Sequence, residues 1–131
     1  MKTKTKLACV GVLLVVGLSW AIYSAAFSDV SGPNIYQIDI RPSPPKPSDE
    51  VRVVIYCIDP SGVSGAKLHF SKNGGEWETR DMQFFACLCI AGGRWVAAVG
   101  QVNSGDSYNF YVTAFDEMQN SADSQTYTID I

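Results

Sequence analysis

Three cysteines have the residue type and spacing that could carry chemistry in this chain. Cys87 and Cys89 form a C-x-C pair, and Cys57 lies in an alternating apolar run. Residues two apart on a strand share a face, so the pair should point the same way. Outside the cytoplasm cysteines usually pair, and we expect one of the two to form a disulfide with Cys57. The alternative is a site of three thiolates for Cu(I) or zinc, for which His69, on the other face of its strand, offers no fourth ligand.

Carboxylates form a second group that could bind an ion. Asp59 and Asp116 each end a predicted strand, and calcium prefers oxygen ligands clustered at such loop ends. No D-x-D-x-D-G spacing occurs in the chain, and Asp is also a common turn residue. Turn capping is therefore the preferred interpretation, Asp59 and Asp116 remain minor calcium candidates, and no cofactor is predicted.

The residues that catalysis requires are not found in a recognisable arrangement. The chain has one histidine, no G-x-S-x-G sequence and no glycine-rich phosphate loop. Its acidic residues are scattered among predicted turns, so no pair of the kind that glycosidases use can be identified. We predict that the protein is not an enzyme.

Four aromatic residues could instead contact a ligand. Trp77, Trp95, Tyr111 and Phe115 are expected outside the main core face. Exposed rings can stack on sugars or dock a protein partner, although cross-strand packing is the commoner reason for aromatic residues in strands.

The N-terminal region is typical of an export or anchor segment. Three lysines occur within residues 1–6, and the next 21 residues, Leu7 to Phe27, carry no charge. About 20 apolar residues suffice to span a bilayer as a helix. The segment is either a cleaved signal peptide or a retained membrane anchor, and both alternatives place residues 28–131 outside the cell membrane or in the secreted fraction.

The remainder of the chain is acidic. All 13 Asp and Glu residues follow residue 27, against 7 of the 10 Lys and Arg residues, so its formal charge is 7 − 13 = −6. Nucleic-acid binding depends on clustered positive charge, and nucleic acid is therefore excluded as a partner.

Short alternating apolar runs follow a spacer at residues 28–32. The clearest are VRVVIYCID, AKLHFS and SYNFYVTAFD, separated by turn residues such as Asp59-Pro60-Ser61-Gly62 and Asn73-Gly74-Gly75. About seven short strands with turns every 8–12 residues predict an all-β, antiparallel sandwich over residues 33–131.

Several segments of the sequence resemble those of a known family. The Asp59–Val63 turn, the hairpin from Asn73 to Trp77 and the late strand and turn from Tyr108 to Asn120 are similar to immunoglobulin-like or fibronectin-type-III-like modules of bacterial and archaeal surface proteins. The resemblance implies an Ig-like sandwich that acts as a spacer, adhesive unit or accessory domain.

Together these features predict a non-catalytic, extracytoplasmic interaction or structural module, preceded by one hydrophobic helix in residues 1–27. Another envelope or surface protein is the expected partner, and the membrane is a second one if Leu7–Phe27 is retained. The alternatives are a carbohydrate-binding module and a filament subunit of the pilin or flagellin type.

Overall fold

The computed structural model describes residues 29–86 and 92–131. The predicted N-terminal helix, Cys87 and Cys89 therefore lie outside the described residues. Within those residues no helix is long and apolar enough to cross a membrane. The strands are β1 (Asn34–Arg41), β2 (Glu50–Ile58), β3 (Val63–Lys72), β4 (Trp77–Asp81), β5 (Gln83–Phe85), β6 (Arg94–Gln101), β7 (Ser107–Asp116), β8 (Ser121–Asp123) and β9 (Tyr127–Asp130).

The strands form two antiparallel sheets. Sheet A has the order β1-β2-β6-β5, and sheet B has the order β4-β3-β7-β8 with β9 also pairing with β7. The predicted all-β sandwich is confirmed, with nine described strands instead of about seven. The additional strands include β5 and β8, which have three residues each. Alternation over three residues is too short a pattern to be recognised in a sequence.

Strand β2 lies in the middle of sheet A because both of its faces are apolar. Val53, Ile55 and Cys57 are fully buried on the inner face. Val54 and Tyr56, which alternate with them, are also buried at 5% and 3% exposure. A strand with apolar residues on both faces is typical of the interior of a sheet, and β2 pairs with β1 and β6.

The core lies between the two sheets. Sheet A contributes Val53 and Ile55, and sheet B contributes Leu68, Phe110 and Val112 to one cluster. The Phe110 ring is 1% exposed and stacks on Tyr127 of β9 at 5.4 Å between ring centroids. Burying a side chain of this size stabilises the fold by about 1.5–3 kcal/mol.

A tight hairpin turn connects β3 to β4. Asn73 and Gly74 have φ of 52° and 72°, and the Gly75 amide donates to the Lys72 carbonyl at 2.9 Å. Positive φ at both central residues is typical of a type I′ turn, and the hairpin turn predicted at Asn73-Gly74-Gly75 is confirmed. The turn brings Trp77, the first residue of β4, directly opposite Ser71 on β3.

Candidate functional site

The outer face of sheet B is formed by the residues of β3, β4 and β7 that alternate with the core residues. Strand pairing brings His69 of β3 opposite Thr79 of β4 and opposite Tyr111 of β7. Trp77 lies opposite Ser71, one position along the same face. Residues of three different strands therefore meet on one surface of the sheet.

Three rings form a continuous group on this face, which we call the aromatic platform: Trp77, Tyr111 and His69. The centroids of Tyr111 and His69 are 4.4 Å apart and their planes differ by 22°. Trp77 lies 5.5 Å from Tyr111 at 56° and remains 51% exposed. Because each ring packs against a neighbour, the indole is held in place while much of its surface faces solvent.

The His69 ring is oriented by hydroxyl groups on both sides. Its Nδ1 lies 2.8 Å from Thr79 Oγ1, and its Nε2 lies 3.0 Å from Thr113 Oγ1. The Thr113 hydroxyl donates its hydrogen to Asp123 Oδ1 at 2.6 Å. Since that hydrogen is used, Nε2–H must donate to Thr113, and in the neutral ring Nδ1 accepts from Thr79.

Burial lowers the pKa of His69 below its usual value, and Lys67 lowers it further, while the negative charge of Asp123 acts in the opposite direction. The neutral ring is therefore favoured at pH 7. A neutral imidazole that is fixed by two hydrogen bonds supports Tyr111 by stacking. The three rings therefore form a fixed and partly exposed aromatic surface.

Polar groups surround the platform on the same face. Lys67 and Asp81 face each other across β3 and β4, with the Nζ and Oδ1 atoms 3.9 Å apart. On the other side, Thr128 donates a hydrogen bond to Asn109 Oδ1 at 2.8 Å. The face thus combines exposed ring surface with amide, hydroxyl and charged groups at its rim.

The four predicted ligand-contact aromatic residues lie in three different places. Trp77 and Tyr111 meet on the platform, and Phe115 lies further along β7, half-buried and opposite Gly65 and Ser121. Trp95 was expected outside the core and is not: it is 8% exposed and belongs to the core cluster. Its indole faces the inside because it lies opposite the fully buried Ile55 of β2.

Three residues of this site, His69, Thr113 and Asp123, were not predicted to act together. His69 was considered as a metal ligand and as a catalytic residue and was rejected for both roles. Alternation does assign His69 and Tyr111 to the polar faces of their strands. Their contact depends on the register between β3 and β7, and no sequence pattern specifies that register.

Of the three cysteines predicted to form a disulfide or a metal site, only Cys57 lies among the described residues. Cys57 is a fully buried free thiol among the described residues, and burial raises its pKa to about 11. A thiol with so high a pKa is a poor nucleophile at neutral pH. Its expected partners Cys87 and Cys89 lie outside the described residues, so both the disulfide and the three-thiolate metal site stay predictions.

The two minor calcium candidates come together at one end of the sandwich. Asp59 and Asp116 lie with Asp29 in a group whose carboxylate oxygens are within 4.8 Å of one another. Both candidates also cap turns: Asp59 Oδ2 accepts from the Ser61 amide and Asp116 Oδ1 from the Asn120 amide. Asp59 Oδ1 is buried without a hydrogen-bond partner among the described residues. The three carboxylates are chemically suited to a hard cation such as calcium.

The chain was compared with known proteins. No family model matches it, and no curated protein matches its sequence. Solved structures do share its fold. A bromine derivative of BhCBM56 superimposes with a TM-score of 0.56 at 18% identity, over 74% of this chain and 92% of that chain.

Two further structures are similar. The cycloalternan-forming enzyme of Listeria monocytogenes, solved with a pentasaccharide substrate, has a TM-score of 0.59 at 17% identity over 77% of this chain and 10% of that chain. A β-1,3-glucan-binding domain of carbohydrate-binding module family 56 has a TM-score of 0.49 at 13% identity. At these identities the first two similarities establish a shared all-β sandwich and nothing more specific.

Proposed function

We propose that this chain is a non-catalytic carbohydrate-binding module and that a neutral sugar chain lies on the aromatic platform. The observation that carries the proposal is the exposed indole of Trp77, held against Tyr111 on an open sheet face. A ring fixed in this way offers an apolar surface to the C–H face of a sugar ring without losing further side-chain freedom on binding.

The polar groups around the platform suit a ligand that is covered with hydroxyl groups. Thr79 and Asn109 flank the rings on opposite strands, and the Lys67–Asp81 pair lies at one end. Hydroxyl, amide and charged groups can exchange hydrogen bonds with sugar hydroxyls while the rings supply contact area. A partner protein that used this face would need to match the same polar rim.

The fold shared with BhCBM56 supports the carbohydrate-binding alternative, and a module that binds an envelope protein partner is the second candidate. A second element of the proposal concerns location. Residues 1–27 would carry the module across the membrane, either as an anchor or as a removed signal. Intact mass of the protein from its native cells tests this point, because a start near residue 22 or 27 means cleavage and a full-length mass means retention.

The binding proposal is tested by calorimetric titration of the full-length chain with soluble neutral glucans of β-1,3, β-1,4 and α linkage. Trp77→Ala should weaken binding by about tenfold or more, because a central aromatic anchor is lost. Trp77→Phe should retain part of the affinity. The matched control is Tyr36→Ala on sheet A, which removes another half-exposed ring and should leave the affinity unchanged.

Two outcomes would contradict the proposal. If none of the neutral glucans binds, the proposal of a neutral sugar ligand is wrong. The interpretation as a module that binds a surface protein is then favoured. If a glucan binds equally well to the Trp77→Ala protein, the sugar lies elsewhere on the sandwich.

A further inference from the structure

The outer face of sheet A carries an unusual concentration of positive charge. A groove of about 310 Å³ is lined by Arg41, Arg52 and Arg94 together with Val54, Val96 and Phe85. We call it the arginine groove. The part of the chain that the structure describes has a formal charge of −6, yet three of its seven cationic side chains lie around this one groove.

Strand register explains how the arginines come together. Arg41 of β1 lies directly opposite Arg52 of β2 at one end of the groove. Val54 and Val96 lie opposite each other in the middle, and Arg94 lies opposite Tyr56 and Phe85 at the other end. Positions two apart along a strand are about 6.6 Å apart, so the two ends are separated by about 13 Å.

The charges in the groove are poorly neutralised. Asp39, which occupies the middle row opposite Val54, is 3.5 Å from the Arg41 guanidinium. The guanidinium groups of Arg52 and Arg94 have no ion pair or hydrogen bond with any residue within 29–86 and 92–131. Like charges directly opposite each other on neighbouring strands are destabilising, so the Arg41–Arg52 pair costs stability in the free protein.

We infer that the arginine groove binds an anionic polysaccharide, with carboxylate groups held by Arg52 and Arg94 and a sugar ring placed against Phe85. Guanidinium groups pair with carboxylates through two parallel hydrogen bonds. The Phe85 side chain is 42% exposed at the groove and lies opposite Arg94, so ring surface and charge are adjacent. The assignment rests on the proposed function only for the sugar class of the ligand; the site and its charge are independent of the aromatic platform.

The spacing of the charges favours a sparsely charged chain over a dense polyanion. Duplex DNA carries one negative charge per about 1.7 Å and would meet the acidic remainder of the domain. A uronate polymer carries one carboxylate per sugar ring, so its charges are more widely spaced than those of duplex DNA. Carboxylates of two non-adjacent rings can meet the two cationic ends of the groove while a ring between them crosses Val54 and Val96.

The test is calorimetric titration of the full-length chain with oligogalacturonate and with its methyl ester, which has the same sugar without the charge. Oligogalacturonate should bind, and the ester should bind at least about tenfold more weakly. Raising NaCl from about 0.05 M to about 0.5 M should weaken binding of the charged form by screening. Arg52→Ala and Arg94→Ala should each weaken it by about fivefold or more, because hydrogen bonds to charged groups are lost.

Lys46→Ala is the matched control, because it removes one positive charge away from the groove and should change the affinity less than about twofold. Unchanged binding after the arginine substitutions, equal binding of the ester, or equally tight binding of polyglutamate or of phosphatidylglycerol vesicles would overturn the inference. Trp77→Ala separates the two sites. It should weaken neutral glucan binding by about tenfold or more and spare oligogalacturonate binding, so either proposal can fail while the other stands.

Discussion

The outer face of sheet B carries stacked rings fixed by hydroxyl groups, whereas the outer face of sheet A carries arginines with few partners. In the aromatic platform the His69 ring is hydrogen-bonded on both sides, and Thr113 connects it to Asp123. In the arginine groove Arg52 lies opposite Arg41 and has no acidic partner among the described residues. If both proposals hold, the platform is ordered before its ligand arrives, whereas the charge of the groove is neutralised by its ligand.

The largest effect on stability is expected from a substitution in the core on which both sheets pack. Phe110 is 1% exposed, and Phe110→Ala should lower the free energy of unfolding by about 3–5 kcal/mol through lost burial and a cavity. Because both sheets pack on this core, neutral glucan and oligogalacturonate binding should be lost at the same urea concentration. The Lys46→Ala control should unfold within about 0.5 kcal/mol of the parent. Loss of one binding activity well before the other would mean that the sheets unfold separately.

A smaller effect should be confined to the platform. Thr113→Val removes the hydroxyl between His69 Nε2 and Asp123 Oδ1, which leaves two polar groups without that partner. We expect a loss of about 1–3 kcal/mol in unfolding free energy, measured by urea denaturation, and weaker neutral glucan binding. Thr128→Val, at an exposed hydroxyl on the same sheet, should cost less than about 0.5 kcal/mol. Altered oligogalacturonate binding in the Thr113 variant would contradict the separation of the faces.

The two faces should also differ in their response to pH. The folded pKa of His69 lies below its unfolded value of about 6.5, mainly because of burial, so the unfolded chain binds more protons between the two values. The unfolding free energy should therefore fall as the pH decreases through about 6.5 and become level below the folded pKa. Neutral glucan binding should weaken over the same range.

Denaturation and titration at pH about 7.5 and about 5.5 measure these changes, since the unperturbed histidine titrates between them. His69→Gln should remove the dependence in this window. Binding in the arginine groove should stay constant, because arginine remains charged throughout. A histidine-independent loss of stability would assign the effect to other groups.

The smallest effect on the unfolding free energy is expected from the repulsion between arginines in the groove. Arg52→Thr relieves the repulsion with Arg41 and places a residue with good β propensity in β2, so the unfolding free energy should rise by about 0.2–1 kcal/mol. Arg80→Thr should instead lower the unfolding free energy. Its guanidinium donates to the Ala98 carbonyl at 2.7 Å and lies 4.9 Å from the centroid of the Phe70 ring. A stability loss in the Arg52 variant would show that this arginine supports the fold.

The sequence by itself determined the fold class and the position of most turns. Strict alternation in SYNFYVTAFD predicts β7, and the apolar character of both faces of β2 predicts its central position. The Asn73-Gly74 turn followed from the residues that tolerate positive φ. These features are local, because they depend on side-chain period and backbone preference within a few neighbouring residues.

Tertiary structure decided which of these residues meet. Trp95 and Trp77 have the same residue type in similar strand patterns, yet pairing turned Trp95 toward Ile55 and left Trp77 on the surface beside Tyr111. The Arg41–Arg52 pair likewise exists only because β1 and β2 are in that register. A shift of one residue reverses the face of every side chain in a strand. Register is set by the whole core, and sites that draw on several strands are therefore settled only when the sheets have assembled.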